Sequence, residues 1–218
     1  MYSKFIEALA GTHLYPITHQ QISNLTHAEQ VGLLSESGAK LIQLREKIDS
    51  PLEFFAQAEA ALRIARERDV KIIINDRVDI ALALGADGVH LGQEDLPSDA
   101  ARRILGDDVI IGFSTHNPEQ ARLAQEMPVD YVAVGPIFAT DTKRSSNPPV
   151  GLDGLARIRE ALGEMPLVAI GGITAENLKS VLLAGADAVA MIRDIWAPDA
   201  DALTKTRRLL SVSQTSTP

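Results

Sequence analysis

Several short apolar runs in this chain end in residues that could do chemistry. In Leu41-Ile-Gln43-Leu-Arg45-Glu-Lys47 the polar Gln43, Arg45 and Lys47 alternate with Leu44 and Glu46, so in an extended chain they share one face. Arginine offers a planar fork of donors and lysine a point charge, a pairing suited to phosphate oxygens. Taken alone, the same cations could mark a strand running out into solvent. Lys71-Ile-Ile-Ile-Asn75-Asp76 and Gly88-Val-His90-Leu-Gly-Gln93-Glu-Asp95 each end in a carboxylate. Two carboxylates from neighbouring strand ends can hold one hard cation such as Mg²⁺, which takes few protein ligands and completes its shell with water and substrate phosphates. Singly, Asp76 would also serve as a helix N-cap and Asp95 as a surface residue before Pro97.

Three further segments carry polar groups in the same position relative to an apolar run. Gly112-Phe-Ser114-Thr-His116 places Ser114 and His116 on one face, a pair better suited to hydrogen bonding than to nucleophilic attack, with His116 read as a supporting group. Val132-Ala-Val-Gly135-Pro136 leads into Phe138–Gly151, a long segment with Thr140, Thr142, Lys143, Arg144, Ser145 and Ser146 and no apolar period, which reads as a lid over substrate. Ile170-Gly171-Gly172-Ile173 and Met191-Ile192-Arg193-Asp194 end the last two runs. In β/α barrels the corresponding strand ends commonly bind a phosphate through backbone N–H groups.

To aim all of these groups at one place the chain needs parallel strands with a common end. Its apolar runs alternate with segments of helical period, the pattern of repeated βα units. Strands are expected at Leu14–Thr18, Lys40–Arg45, Lys71–Asn75, Gly88–Leu91, Val109–Phe113, Tyr131–Gly135, Leu167–Gly171 and Ala188–Ile192. Helices are expected at Leu52–Arg68, Ser98–Leu105, Pro118–Gln125, Leu152–Leu162 and Ala175–Leu183. Eight such units make a single α/β domain, a (β/α)8 TIM barrel over residues 1–210, followed by a frayed polar tail over 211–218. A weak repeat, Ser37-Gly-Ala, Leu84-Gly-Ala-Asp and Ala184-Gly-Ala-Asp, precedes three of the strands, with glycine suited to capping the helix before it.

The 218 residues, 45% hydrophobic, suffice for one buried core. A net charge of −8 argues against a general nucleic-acid or anionic-membrane binder, so phosphate recognition must be local. No run approaches the roughly 18 to 20 apolar residues of a membrane span, and the first residues lack a basic region followed by an apolar one, which leads to the expectation of a cytoplasmic protein. With no cysteine there is no disulfide, thiolate nucleophile or cysteine zinc site.

Taken together, the segments Gln43–Lys47, Asn75-Asp76, His90–Asp95, Gly112–His116, Thr140–Lys143 and Gly171–Ile173, in that order, resemble the thiamine phosphate synthase family, from about Leu14 to about Leu210. The resemblance implies a transferase that joins hydroxymethylpyrimidine diphosphate to a thiazole phosphate, releasing pyrophosphate by a Mg²⁺-assisted dissociative displacement. It implies that Gln43, Arg45, Lys47, Asn75, Ser114 and Lys143 contact the pyrimidine diphosphate, with Arg45, Lys47, Ser114 and Lys143 as catalytic residues. By the same resemblance Asp76 and Asp95 hold Mg²⁺, and Thr140, Thr142, Gly172, Ile192 and Arg193 hold the thiazole phosphate. The implied partners are these small phosphorylated molecules, with a homo-oligomer left open. Arg193 departs from the family, which often has serine there. The related thiazole tautomerases share the thiazole-phosphate end but place a histidine after the glycine that ends strand six, where this chain has Pro136. A barrel that only binds a thiamine precursor would explain the phosphate residues but not two metal carboxylates.

Overall fold

Runs such as Lys71-Ile-Ile-Ile-Asn75 form strands because β-branched residues pack well on a pleated surface buried on both faces. The computed structural model describes residues 3–142, 148–197 and 201–214. In chain order they form α1 (Lys4–Leu9), β1 (Leu14–Pro16), α2 (Gln20–Ser23), α3 (His27–Glu36), β2 (Leu41–Leu44), α4 (Pro51–Glu67), β3 (Lys71–Asn75) and α5 (Val78–Leu84). There follow β4 (Gly88–Leu91), α6 (Ser98–Leu105), β5 (Ile110–Thr115), α7 (Pro118–Ala124), β6 (Tyr131–Val134), α8 (Gly151–Leu162), β7 (Leu167–Ile170), α9 (Leu178–Leu183), β8 (Ala188–Met191), α10 (Arg193–Trp196) and α11 (Ala202–Gln214). The eight strands form one parallel sheet, ordered β1-β8-β7-β6-β5-β4-β3-β2. A bridge between Ile17 and Gln43, with the Thr18 N–H on Gln43 O at 2.9 Å, joins its two ends into a ring. The fold is the expected (β/α)8 barrel.

Most strands are a residue or two shorter than expected, because the backbone turns out of the ladder at its polar end. The second strand stops at Leu44, so Arg45 and Lys47 project from a loop and not from a strand face. β5 runs further instead, since Ser114 and Thr115 pair with Ala133 and Val134 of β6. The expected Ala175–Leu183 helix starts only at Leu178, after a turn in which Asn177 Oδ1 accepts the Thr174 N–H. Ser211–Gln214, expected as tail, continue α11, and Ser213 is buried. α3 was not anticipated, although its signal was present: Thr26 and Glu29 form a capping box, each side chain taking the other's backbone N–H.

The lower ends of the strands are fastened in pairs. Asp87, Asp130 and Asp187 stand just before β4, β6 and β8, and each carboxylate accepts the N–H of a residue in the preceding strand, from Ile72, Ile111 and Leu167 at 2.9, 2.8 and 2.7 Å. Each also meets a cation: Lys71, Arg102 and Arg159 respectively. The Gly-Ala-Asp repeat thus supplies two of the three clamps, and Gly85 and Gly185 adopt the positive φ of a helix terminus.

Inside the ring, Phe5 and Leu9 of α1 close the bottom. Phe5 stacks on Tyr131 with ring centroids 4.0 Å apart and meets Tyr15 edge-on at 5.8 Å. The bulk of Tyr131 is accommodated by Gly112 across the ladder, where an added Cβ would lie 2.0 Å from the phenol ring. Gly112→Ala is therefore expected to destabilise by about 3 kcal/mol, lowering the melting temperature by about 10 °C, as calorimetry would show. An unchanged melting temperature would mean that the ring shifts freely.

Candidate active site

The upper strand ends enclose a cavity of about 930 Å³. Gln43, Arg45, Lys47, Asn75, Asp76, Asp95, Ser114, Thr140, Thr142, Gly172, Ile192 and Arg193 all line it, so one space gathers every expected site residue but one. The exception, Lys143, lies outside the described residues, as do the neighbouring residues 144–147 of the expected lid.

On one side stand the cations and carboxylates. Lys47 Nζ pairs with Asp76 Oδ2. Asp76 has φ +63°, in the left-handed region that aspartate and asparagine tolerate better than most residues, and its N–H is tied to His90 O at 2.8 Å. It is not a helix cap; Arg77 takes that position before α5. Asp95 closes its own turn by accepting the Gly92 N–H at 2.6 Å. Burial raises the Asp95 carboxyl above the usual range, and the Asp76 carboxylate beside it raises it further. An Asp95 carboxyl pushed up by a neighbouring carboxylate suits a divalent cation shared between the two. Among the described residues no cluster of three or more His, Cys, Asp or Glu side chains could ligate a metal, so a cation here would draw further ligands from substrate and water, the habit of Mg²⁺. Arg45 is largely buried, which lowers its pKa, while Asp76 and Glu46 support its charge.

The loop carrying Arg45 and Lys47 is held from behind by residues that sequence reasoning missed. Glu46 Oε1 accepts the N–H groups of Lys47, Ile48 and Asp49 at 2.7, 2.7 and 3.3 Å, and its Oε2 accepts Gln20 Nε2 at 3.0 Å. Burial would raise this carboxyl, but those N–H bonds and nearby His27 bring it below the ordinary range. Thr18 Oγ1 takes the Arg45 N–H at 3.2 Å and meets His27 Nδ1 at 2.7 Å, and His27 Nε2 faces Glu46 Oε2 at 3.6 Å. The detectable signal was a single acid between two cations at the end of an apolar run.

Burial lowers the His27 imidazole to about 4, against the pull of Glu46. Between that value and about 6.5 the unfolded chain's imidazole is protonated and the folded one's is not. The unfolded state then binds the extra proton, so stability falls as pH drops through this window, by about 2–3 kcal/mol between pH 7 and 4.5. Urea unfolding at those two pH values should show a smaller loss for His27→Gln than for the parent chain. An equal loss would place the acid sensitivity elsewhere.

Across the cavity, Gly171 and Gly172 follow β7 with φ +100° and +65°. A Cβ on Gly172 would fall 2.7 Å from Ala139 O and from Phe138 Cβ, so the segment after β6 lies directly against it. That segment is pinned by Phe138 N–H on Gly171 O at 3.0 Å, and Asn177 Nδ2 donates to Gly172 O at 3.0 Å. Thr142 Oγ1 accepts from Arg193 Nε at 3.4 Å, which brings the unusual Arg193 to this end. His116, expected as a supporting group, lines the cavity, and its Nδ1 donates to Gly135 O at 2.7 Å. Ser114 bonds not to His116 but to His90 Nε2, at 2.8 Å. His90, a polar residue inside an apolar strand, is a further residue whose part was not foreseen.

The model of the family described as thiamine monophosphate synthase matches residues 14–195. A thiamine-phosphate synthase of Pelotomaculum thermopropionicum is 41% identical over 208 residues, covering 95% of this chain and 94% of that one. One from Koribacter versatilis is 47% identical over 174 residues, covering 80% and 81%. Among solved structures, a thiamine phosphate pyrophosphorylase from Pyrococcus furiosus superposes with a TM-score of 0.84 at 34% identity, covering 94% of this chain and 97% of that one.

Proposed function

Because the chain belongs to the thiamine monophosphate synthase family, we propose that its cation-and-carboxylate rim ionises a pyrimidine diphosphate and that the glycine cradle opposite presents the thiazole phosphate. The chain is a transferase of thiamine biosynthesis that condenses 4-amino-2-methyl-5-hydroxymethylpyrimidine diphosphate with 4-methyl-5-(2-phosphoethyl)thiazole to thiamine phosphate and pyrophosphate. The observation that carries the assignment of roles is the convergence of Arg45, Lys47, Asp76 and Asp95 with Gly172 and Arg193 on one cavity.

In this reading Gln43, Asn75 and Ser114 orient the pyrimidine, while Arg45, Lys47 and Lys143 grip its diphosphate. Asp76 and Asp95 would hold Mg²⁺, which supplies positive charge to the departing pyrophosphate oxygens. The methylene C–O bond breaks, and its electron pair leaves with pyrophosphate. The cationic methylene carbon then accepts the thiazole nitrogen's lone pair to form the C–N bond. Arg45 and Lys47 are preset where negative charge grows, so they favour the dissociated state over the intact diphosphate ester. Thr140, Thr142, Gly172, Ile192 and Arg193 hold the thiazole phosphate so that its nitrogen stands ready, and no protein nucleophile is needed. A cytoplasmic setting belongs to the same proposal, since highly charged phosphate esters do not cross membranes unaided. No described helix is long and apolar enough to cross one.

The test is to incubate both precursors with the protein and Mg²⁺, and again with EDTA, following pyrophosphate release and thiamine phosphate by its fluorescent oxidation product. Metal-dependent formation of both products in equal amounts is expected. Equal rates in EDTA would remove Mg²⁺ and the metal role of Asp76 and Asp95.

A further inference from the structure

A continuous chain of hydrogen bonds runs across the cavity floor from Gln43 to Ser114. Gln43 Nε2 donates to Tyr15 Oη at 3.0 Å, Tyr15 Oη lies 3.1 Å from Tyr131 Oη, Tyr131 Oη lies 2.9 Å from His90 Nδ1, and His90 Nε2 lies 2.8 Å from Ser114 Oγ. Tyr15 and Tyr131 are fully buried, which raises both phenols well above their ordinary range, so each keeps its proton.

Each member of such a chain passes one hydrogen on. With Gln43 donating, the Tyr15 hydroxyl accepts, and the polarity that leaves no buried hydroxyl hydrogen unpaired has it donating onward to Tyr131. Tyr131 in turn donates to His90 Nδ1, so His90 carries its hydrogen on Nε2 and gives it to Ser114 Oγ. The Ser114 hydroxyl, its oxygen engaged, has its own hydrogen left for the cavity. At the other end Gln43, with a hydrogen of its amide nitrogen committed, offers Oε1 as acceptor. Both residues line the cavity.

We propose that this chain sets substrate specificity, with Tyr131 as a positioning residue that fixes Ser114 as a donor and Gln43 as an acceptor toward the pyrimidine ring. The inference rests on the proposed contacts of Gln43 and Ser114 with that ring. A 4-aminopyrimidine is complementary to the pair, because its exocyclic amine donates and its neighbouring ring nitrogen accepts. The 4-oxo analogue reverses both, with a carbonyl that accepts and a ring N–H that donates. A site of fixed polarity rejects it because each buried partner is left facing its own kind. Tyr131 touches neither ring; it acts through His90. Its sequence distance from His90 is 41 residues and from Tyr15 is 116, so only barrel closure brings the three together.

The experiment pairs ¹⁵N-histidine NMR with steady-state kinetics on the full chain. In the parent protein His90, assigned through His90→Gln, should show a protonated Nε2 and a bare Nδ1. Tyr131→Phe keeps the ring stacked on Phe5 but cuts the chain. It should lose the single tautomer, raise KM for the pyrimidine diphosphate about tenfold and leave KM for the thiazole phosphate unchanged. Discrimination against the 4-oxo diphosphate should fall in the same proportion. A proton on Nδ1 in the parent protein would overturn the inference, as would a Tyr131→Phe enzyme with parental KM and selectivity. The parental spectrum decides alone if the variant does not fold. If Ser114→Ala leaves the pyrimidine KM untouched, the failure belongs to the proposed Ser114 contact and not to the chain's polarity.

Discussion

Asp76→Asn should lower turnover by about a hundredfold or more while leaving the fold in place. The loss is large because the variant removes one of two carboxylates proposed to hold the cation that opposes charge growing on pyrophosphate, an effect worth several kcal/mol of the barrier. The fold survives because asparagine tolerates the left-handed backbone at φ +63° and the N–H bond to His90 O is kept. The melting temperature should move by no more than about 2 °C, since no core surface is lost. Asp95→Asn should behave alike, its amide oxygen still able to close the turn at Gly92. Asp95→Ala should also lose turnover with little loss of folding, though without that bond. Thiamine phosphate formation across a Mg²⁺ titration tests all three; full activity in either asparagine variant would take that aspartate out of the site.

Gly172→Ala should act on the other substrate. Its Cβ would strike Ala139 O and Phe138 Cβ, and φ +65° is costly for alanine by about 1 kcal/mol. Relief has to come from displacing the segment after β6 or the cradle itself, and either movement would disturb the proposed thiazole-phosphate site. KM for the thiazole phosphate should rise about tenfold or more, with a much smaller change for the pyrimidine diphosphate. A rise confined to the pyrimidine diphosphate would exchange the two ends of the cavity.

The barrel was legible because parallel strands buried on both faces leave uninterrupted apolar runs, and the site because polar residues then stand out at the run ends. Arg45, Asp76 and Asp95 could be read that way without their neighbours. Glu46, His90 and Tyr131 could not, since each acts through partners on other strands or helices. Glu46 looks like an alternating residue until Gln20 and His27 are seen behind it. Tyr131 looks like ordinary core, and nothing local announces that its hydroxyl lies between Tyr15 and His90. α1 went unread for a similar reason: Phe5 and Leu9 share a face, but only the ring they plug gives a six-residue helix its purpose.

Among the described residues, that plug leaves the barrel a single mouth. With Phe5 and Leu9 sealing the lower end, both precursors enter and both products leave past the same rim. The pyrimidine's proposed seat reaches down to Gln43 and Ser114, above the Tyr15–Tyr131 floor, while the proposed seat of the thiazole phosphate lies near the segment after β6. Geometry then imposes a queue: the pyrimidine diphosphate must arrive before the thiazole phosphate blocks its way, and the joined product must depart before the next pyrimidine can enter. Excess thiazole phosphate should accordingly obstruct the empty enzyme, and inhibition at high concentrations of one substrate but not the other would be the kinetic imprint of a short helix at the far end of the molecule.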